Sequence, residues 1–204
     1  MGFWIVILLF ISLGWQGSCH QGREQQPVKT HETSPGTKRE NSAQPDKTGT
    51  ETEIEVLPTT LTLLDRQKAK FPEILNELKT NKKKVEHWIW WVFPTEHAGR
   101  SEQSPKSKVE LSQVDYILAH ADMNAWSAIL EEIYELLKAK NQGAWQESNN
   151  EPSADVLDNS DDRGRIGYAL NFWLDKAGET VKKSPRFYNA LKNLDKFKWP
   201  TRKM

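Results

Sequence analysis

His87, Trp88 and Trp91 are the residues of this chain whose types and spacing could do chemistry. They belong to the run His87-Trp88-Ile89-Trp90-Trp91-Val92-Phe93-Pro94, which holds three of the nine tryptophans. On a helix, residues three and four apart share a face, so these three would line one side while Trp90 points elsewhere. A histidine titrates near neutral pH and could serve as a general base. Tryptophan is rarely buried completely and its indole N–H seeks a partner, so the run could wall a partly open aromatic groove. The same spacing is that of an ordinary core stripe, and both roles stay open. Arg165, set against aromatic walls, would suit a phosphorylated or nucleotide-like ligand. His120 reads as a helix-end cation and His97 as a loop residue. No nucleophile elbow, phosphate-cradling glycine loop, zinc-binding helix motif or dinucleotide fingerprint is present. An enzyme is therefore not indicated, and neither a cofactor nor a metal is expected.

The elements that would position these residues are helical. Phe71, Ile74, Leu75 and Leu78 recur at three and four residues, with Pro72 placed in a first turn and Asn81 as a left-handed stop before a basic turn. The aromatic run forms a second segment ended by Pro94. Ser112 and Asp115 read as a capping box opening a short helix through Leu118, and Asp122 caps the next helix. There Met123, Trp126, Ile129, Leu130, Ile133, Leu136 and Leu137 make the cleanest amphipathic stripe, closing at Asn141-Gln142-Gly143. Residues 147–162 hold six acidic residues and no basic one, which reads as a long surface loop without the ordered glycine and terminal glutamate of a calcium-binding loop. Asp161 or Asp162 then opens a helix carrying Ile166, Leu170, Trp173 and Ala177 and ending at Gly178, and Ser184-Pro185 opens a last one carrying Phe187, Leu191 and Leu194. Sustained strand alternation is absent. The expectation is an all-α fold: one compact multi-helix domain over 57–199, with a short C-terminal tail over 200–204.

What precedes that domain sets the compartment. An uncharged apolar stretch from Phe3 to Trp15 leads into Gly17-Ser18-Cys19, which predicts a signal peptide over 1–19 cleaved before His20 and a secreted product with no membrane segment left. The stretch lacks the usual basic residue at its start, and it is shorter than the roughly twenty apolar residues of a membrane span. Residues 20–56 are Gln, Glu, Lys, Thr, Ser, Pro and Gly with hardly an apolar side chain, the composition of a disordered tail. Cys19 is the one cysteine, so the mature chain would have neither disulfides nor thiol chemistry and must be held by its own core.

Charge points to no single partner. Lysine plus arginine and aspartate plus glutamate each number 28. Residues 163–203 carry eleven basic residues against Asp175, Glu179 and Asp195, a surplus of eight that could attract an acidic surface. These residues are not arranged as a nucleic-acid motif, and a solvated helical face is the simpler account.

The run Lys82-Lys83-Lys84-Val85-Glu86-His87-Trp88-Ile89-Trp90-Trp91-Val92-Phe93-Pro94 resembles the hallmark of a family of small all-helical domains of unknown function, some of them loosely labelled calpastatin, in which a basic turn precedes an H-W-M-W-F-I-F-P-like sequence. The resemblance spans about 64–199. Asp65, Gln67 and Leu75 through Leu78 resemble its first helix, Tyr116-Ile117-Leu118-Ala119-His120 a tyrosine-leucine-x-histidine segment, and Asp161-Asp162 through Phe172 a late acidic-basic-small pattern. The leader and tail are additions, the loop 95–108 replaces a glycine-rich one, and the acidic loop looks inserted. The family arrangement would bring His87, His120, Asp162 and Arg165 together. It has no settled activity, so the resemblance implies a fold and leaves function open. The chain is expected to be a monomeric secreted interaction domain whose partner is a protein or a small anionic ligand, held at His87, Trp88, Trp91, His120, Asp162 and Arg165. The alternative is a small-ligand enzyme using His87 and Arg165.

Overall fold

A computed structural model describes residues 55–99, 101–141, 151–157 and 159–202. The expected leader and the expected tail as far as residue 54 lie outside them. All described residues fall in one compact unit, and they are helical without a strand. Their one extended pairing is an isolated parallel bridge between Thr95 and Lys108.

Helix α1, Pro58–Asn81, starts with proline at its first position, where a missing N–H costs nothing. Leu63, Gln67, Phe71, Ile74 and Leu78 form its buried stripe. The sequence expectation put Pro72 in a first turn, but Pro72 lies mid-helix. Proline removes the bond to the carbonyl four residues earlier. Here Pro72 and Lys68 are both exposed, so water can satisfy that carbonyl while the stripe continues. The helix also stops one residue later than expected: Lys82, with φ of 56°, takes the left-handed position and returns its N–H to Leu78 O. Glu55 and Val56, expected in the tail, are tied down instead, because Gln113 donates to Glu55 O and accepts from Leu57 N.

The aromatic run yields only a four-residue helix, α2, Ile89–Val92, with Trp88 as its cap and His87 outside it. Helix α3, Val114–His120, follows a 3₁₀ turn at Leu111–Gln113 and has no side-chain cap, so Ser112 does not play the expected capping role. Helix α4, Met123–Lys140, is the centre of the fold, packing on both α1 and α7. Its Asp122 cap is as expected, the carboxylate accepting from Ala125 N at 2.9 Å.

Past α4, the acidic segment is not a surface loop throughout. Val156 and Leu157 are fully buried, and Asp161 and Asp162 already belong to α5, Ser160–Leu170. Both aspartates lie in its first turn, as expected at a helix start, and Asn159 is the cap, its amide oxygen accepting from Asp162 N at 2.8 Å. The single helix expected through Gly178 is broken into α5, a π-helical segment Asn171–Lys176, and the short α6, Gly178–Val181. The final helix α7, Pro185–Leu194, starts after Ser184 as expected and buries Phe187, Leu191 and Leu194.

The expected C-terminal tail is partly a docked strap. Thr201 donates to Gly164 O, and a β-carbon on Gly167 would come within 2.3 Å of Thr201 Oγ1, so the close approach needs glycine there. Arg202 bonds Asp195, Asn171 and Asp175. Burial raises the Asp195 carboxyl, but the bonds and charges of Arg202 and Lys192 outweigh it and hold the group below the usual carboxylate range. A depressed folded value means that this stabilisation is complete above the unfolded carboxylate pKa and is lost as pH falls through the folded one. Acid titration should therefore loosen the strap before the core. Trp199 fluorescence against far-ultraviolet circular dichroism measures the order of the two events.

Acids of earlier elements take up part of the basic surplus of the C-terminal part. Lys183 pairs with Asp115, Arg186 with Glu131 and Lys176 with Glu96, so the basic residues are spread over ion pairs with earlier elements rather than gathered into a free patch.

Candidate functional site

The end of the aromatic run is a hub of backbone acceptors. A helix leaves its last carbonyls without intrahelical partners, and buried carbonyls must find donors elsewhere. Four consecutive ones do so here. Trp91 O accepts from Gln67 of α1 at 2.9 Å, Val92 O from the Trp126 indole of α4 at 2.9 Å, Phe93 O from Arg165 of α5 at 2.9 Å, and Pro94 O from the Trp173 indole of the π segment at 2.8 Å. Each donor comes from a different element. The run is therefore a structural joint as well as an aromatic surface.

Arg165 belongs to that joint. Its guanidinium also donates to His97 O at 2.6 Å and to Ser107 Oγ at 3.2 Å, and lies 4.7 Å from the centre of the Trp90 ring. Gly99 packs on the same ring, where a β-carbon would approach to 2.3 Å. Burial pushes the Arg165 guanidinium down to about 9, which still leaves it charged at neutral pH. One side chain thus pins both ends of the loop between Pro94 and Lys108.

Asp162 is committed too. It forms a buried ion pair with Lys84 at 2.8 Å, and Lys84 Nζ lies 5.8 Å from the Trp88 ring centre. Lys84 belongs to the basic turn, but its backbone N–H donates to Val156 O and its side chain is inside. His120 is at the exposed end of α3, its ring stacked on Tyr116 at 3.9 Å and bonded to Tyr116 O. None of His120, Asp162 and Arg165 lines the cavity that His87 borders. The structure does not gather them into one site.

His87, Trp88 and Trp91 do come together, at a groove of about 350 Å³ between α1 and the turn before α2, lined also by Lys70, Glu73, Ile74, Glu77 and Glu86. His87 is exposed, whereas Trp88 and Trp91 keep 3% and 7% of their surface. The tryptophans are core residues that present only edges to the groove. Glu77 builds the turn: it accepts from Val85 N at 2.7 Å, from Glu86 N at 3.3 Å and from the Trp88 indole at 2.8 Å. Sequence reading missed this acidic wall because Glu77 finds its partners eight to eleven residues later, beyond helical spacing. The repeat Glu73, Glu77 at i, i+4 beside Ile74 was the available signal.

Residues 60–157 match the model of a family described as a protein of unknown function, DUF1810. Over that segment the chain is similar to the DUF1810 family. The segment includes α1, the aromatic run, the groove, α3 and α4. The match stops short of Asp162, Arg165 and the late pattern through Phe172. No curated protein and no solved structure matches the chain. Within the matched segment the groove residues come from α1, the turn that follows it and, for Trp91, α2. Among the described residues, no group of three or more His, Cys, Asp or Glu is placed to hold a metal ion, and no helix is long and apolar enough to cross a membrane.

Proposed function

We propose that this chain is a secreted interaction domain that holds its ligand in the groove bordered by His87, Trp88 and Trp91. The observation that carries the reading is the convergence there of apolar edges from Ile74, Trp88 and Trp91 with the charged groups of Lys70, Glu73, Glu77 and Glu86. Binding sites are concave, mostly apolar and equipped with a few placed polar groups. Catalysis has less support. A general base needs a neighbour to orient it. His87 has no hydrogen-bond or ion-pair partner among the described residues, and Arg165 is spent on Phe93, His97 and Ser107. Secretion rests on the apolar leader alone. Mass spectrometry of material released by expressing cells should find His20 as the first residue, and a product retaining Met1 would refute it. A screen of peptides, sugars and nucleotides, read by the indole N–H signals of Trp88 and Trp91, tests the groove. Perturbation of these signals with the Trp126 signal unmoved is the expected outcome, and its absence across all classes would overturn the reading.

A further inference from the structure

We propose that the groove recognises an arginine or lysine side chain presented by a partner polypeptide. The proposal rests on the groove being the binding site and adds the chemistry of its ligand.

Charge comes first. Three carboxylates, Glu73, Glu77 and Glu86, line the groove with one cation, Lys70, and that cation is held by Glu73 at 2.6 Å. Neither Glu77 nor Glu86 has an ion-pair partner among the described residues. Glu77 is the more telling of the two, since it is half-buried and fixed by three N–H donors. Neutral donors orient the carboxylate without cancelling its charge. The groove is left electronegative, which opposes a phosphate or any other anion and favours a cation.

Shape then selects the kind of cation. The floor of Ile74, Trp88 and Trp91 is apolar and the rim is acidic. Lysine and arginine match that order, burying a methylene stem along apolar surface while the head group stays at the polar edge. The volume of about 350 Å³ is at the low end of ligand pockets and suits a side chain rather than a large molecule. Arginine should be preferred, because its fork can meet two carboxylates at once.

The experiment uses the full chain with indole-resolved NMR. The probes are acetyl-Ala-Arg-Ala-amide, its glutamine and glutamate counterparts, and methylguanidinium. The arginine peptide is expected to shift the Trp88 indole signal saturably while the buried Trp126 signal stays in place. The glutamine peptide should bind at least about tenfold more weakly, and the paired change Glu73→Gln with Glu86→Gln should weaken the arginine peptide about tenfold, both carboxylates being exposed and outside the core. Added salt should weaken it as well. If the glutamine or glutamate peptide moves Trp88 as strongly as the arginine peptide, the cation preference is wrong and the groove remains a binding site. Equal binding of methylguanidinium would overturn the polypeptide origin of the ligand. If no probe moves Trp88 in a chain whose Trp126 signal reports a folded core, this inference fails, and failure of the wider peptide, sugar and nucleotide screen as well would remove the groove reading with it.

Discussion

Replacing Trp126 by alanine is expected to cost about 3–5 kcal/mol from the cavity alone. Trp126 is fully buried and its ring meets Phe71 at 6.0 Å, Trp173 at 5.5 Å and Phe187 at 4.6 Å, so three other elements collapse onto it. Its indole N–H is also the donor to Val92 O. Leaving that buried carbonyl without a partner adds about 1–3 kcal/mol. Domains of this size are stable by roughly 5–15 kcal/mol, so the variant should keep little of its stability or none. Trp126→Phe separates the two effects, because it retains most of the ring packing and loses the donor. Urea midpoints followed by circular dichroism measure both. An alanine variant as stable as the parent would mean that the core is not centred on this ring.

Arg165→Met should be the second most damaging change, at about 4 kcal/mol. Hydrogen bonds from a charged donor contribute about 1.5–3 kcal/mol each, and Arg165 makes three, to Phe93 O, His97 O and Ser107 Oγ. Part of their loss is offset by relief from burying a guanidinium that has no carboxylate partner among the described residues. Methionine fills much of the volume, so packing on Trp90 changes less than hydrogen bonding does. Arg165→Lys should rescue little, since one ammonium cannot reach three acceptors spread over the loop. Trypsin offers a second readout, because an unpinned loop should be cut at Lys106 or Lys108 well before the helices are. A loop equally resistant in parent and variant would show that the 94–108 segment is held by something other than Arg165.

The parts of the fold set by short-range signals were legible. Helix α4 announced itself through seven apolar residues at three- and four-residue spacing and through Asp122, whose capping bond spans only three residues. The start of α7 at Ser184-Pro185 was equally local. The misreadings share a cause. Pro72 looked like a helix start because proline usually marks one, and only the exposure of both Pro72 and Lys68 explains why the helix runs through it. Lys84 read only as part of a basic turn, and it is Asp162, seventy-eight positions away, that draws it inside. The candidate site was half legible. Helical spacing put His87, Trp88 and Trp91 on one face, and they do share a groove, though α2 is too short to include His87. Nothing in the spacing could reveal that Arg165 would serve the carbonyls of Phe93 and His97, because that bond exists only once α5 has packed beside the run.

The π-helical segment Asn171–Lys176 has a consequence for the length of the chain. Its wide turn, marked by the bond from Ala177 N to Phe172 O, lets Trp173 reach Pro94 O while Asn171 and Asp175 both face Arg202. An ordinary α-helix advances by about 100° per residue, so losing one residue here would swing everything on one side of the deletion around by that angle. Either the indole would leave the hub or the carboxylate would leave the strap. Side chains along this stretch can vary wherever they meet only solvent, but the number of residues in it cannot. Homologous chains that keep both the Pro94 hub and the Arg202 strap should therefore carry neither an insertion nor a deletion between α5 and α6.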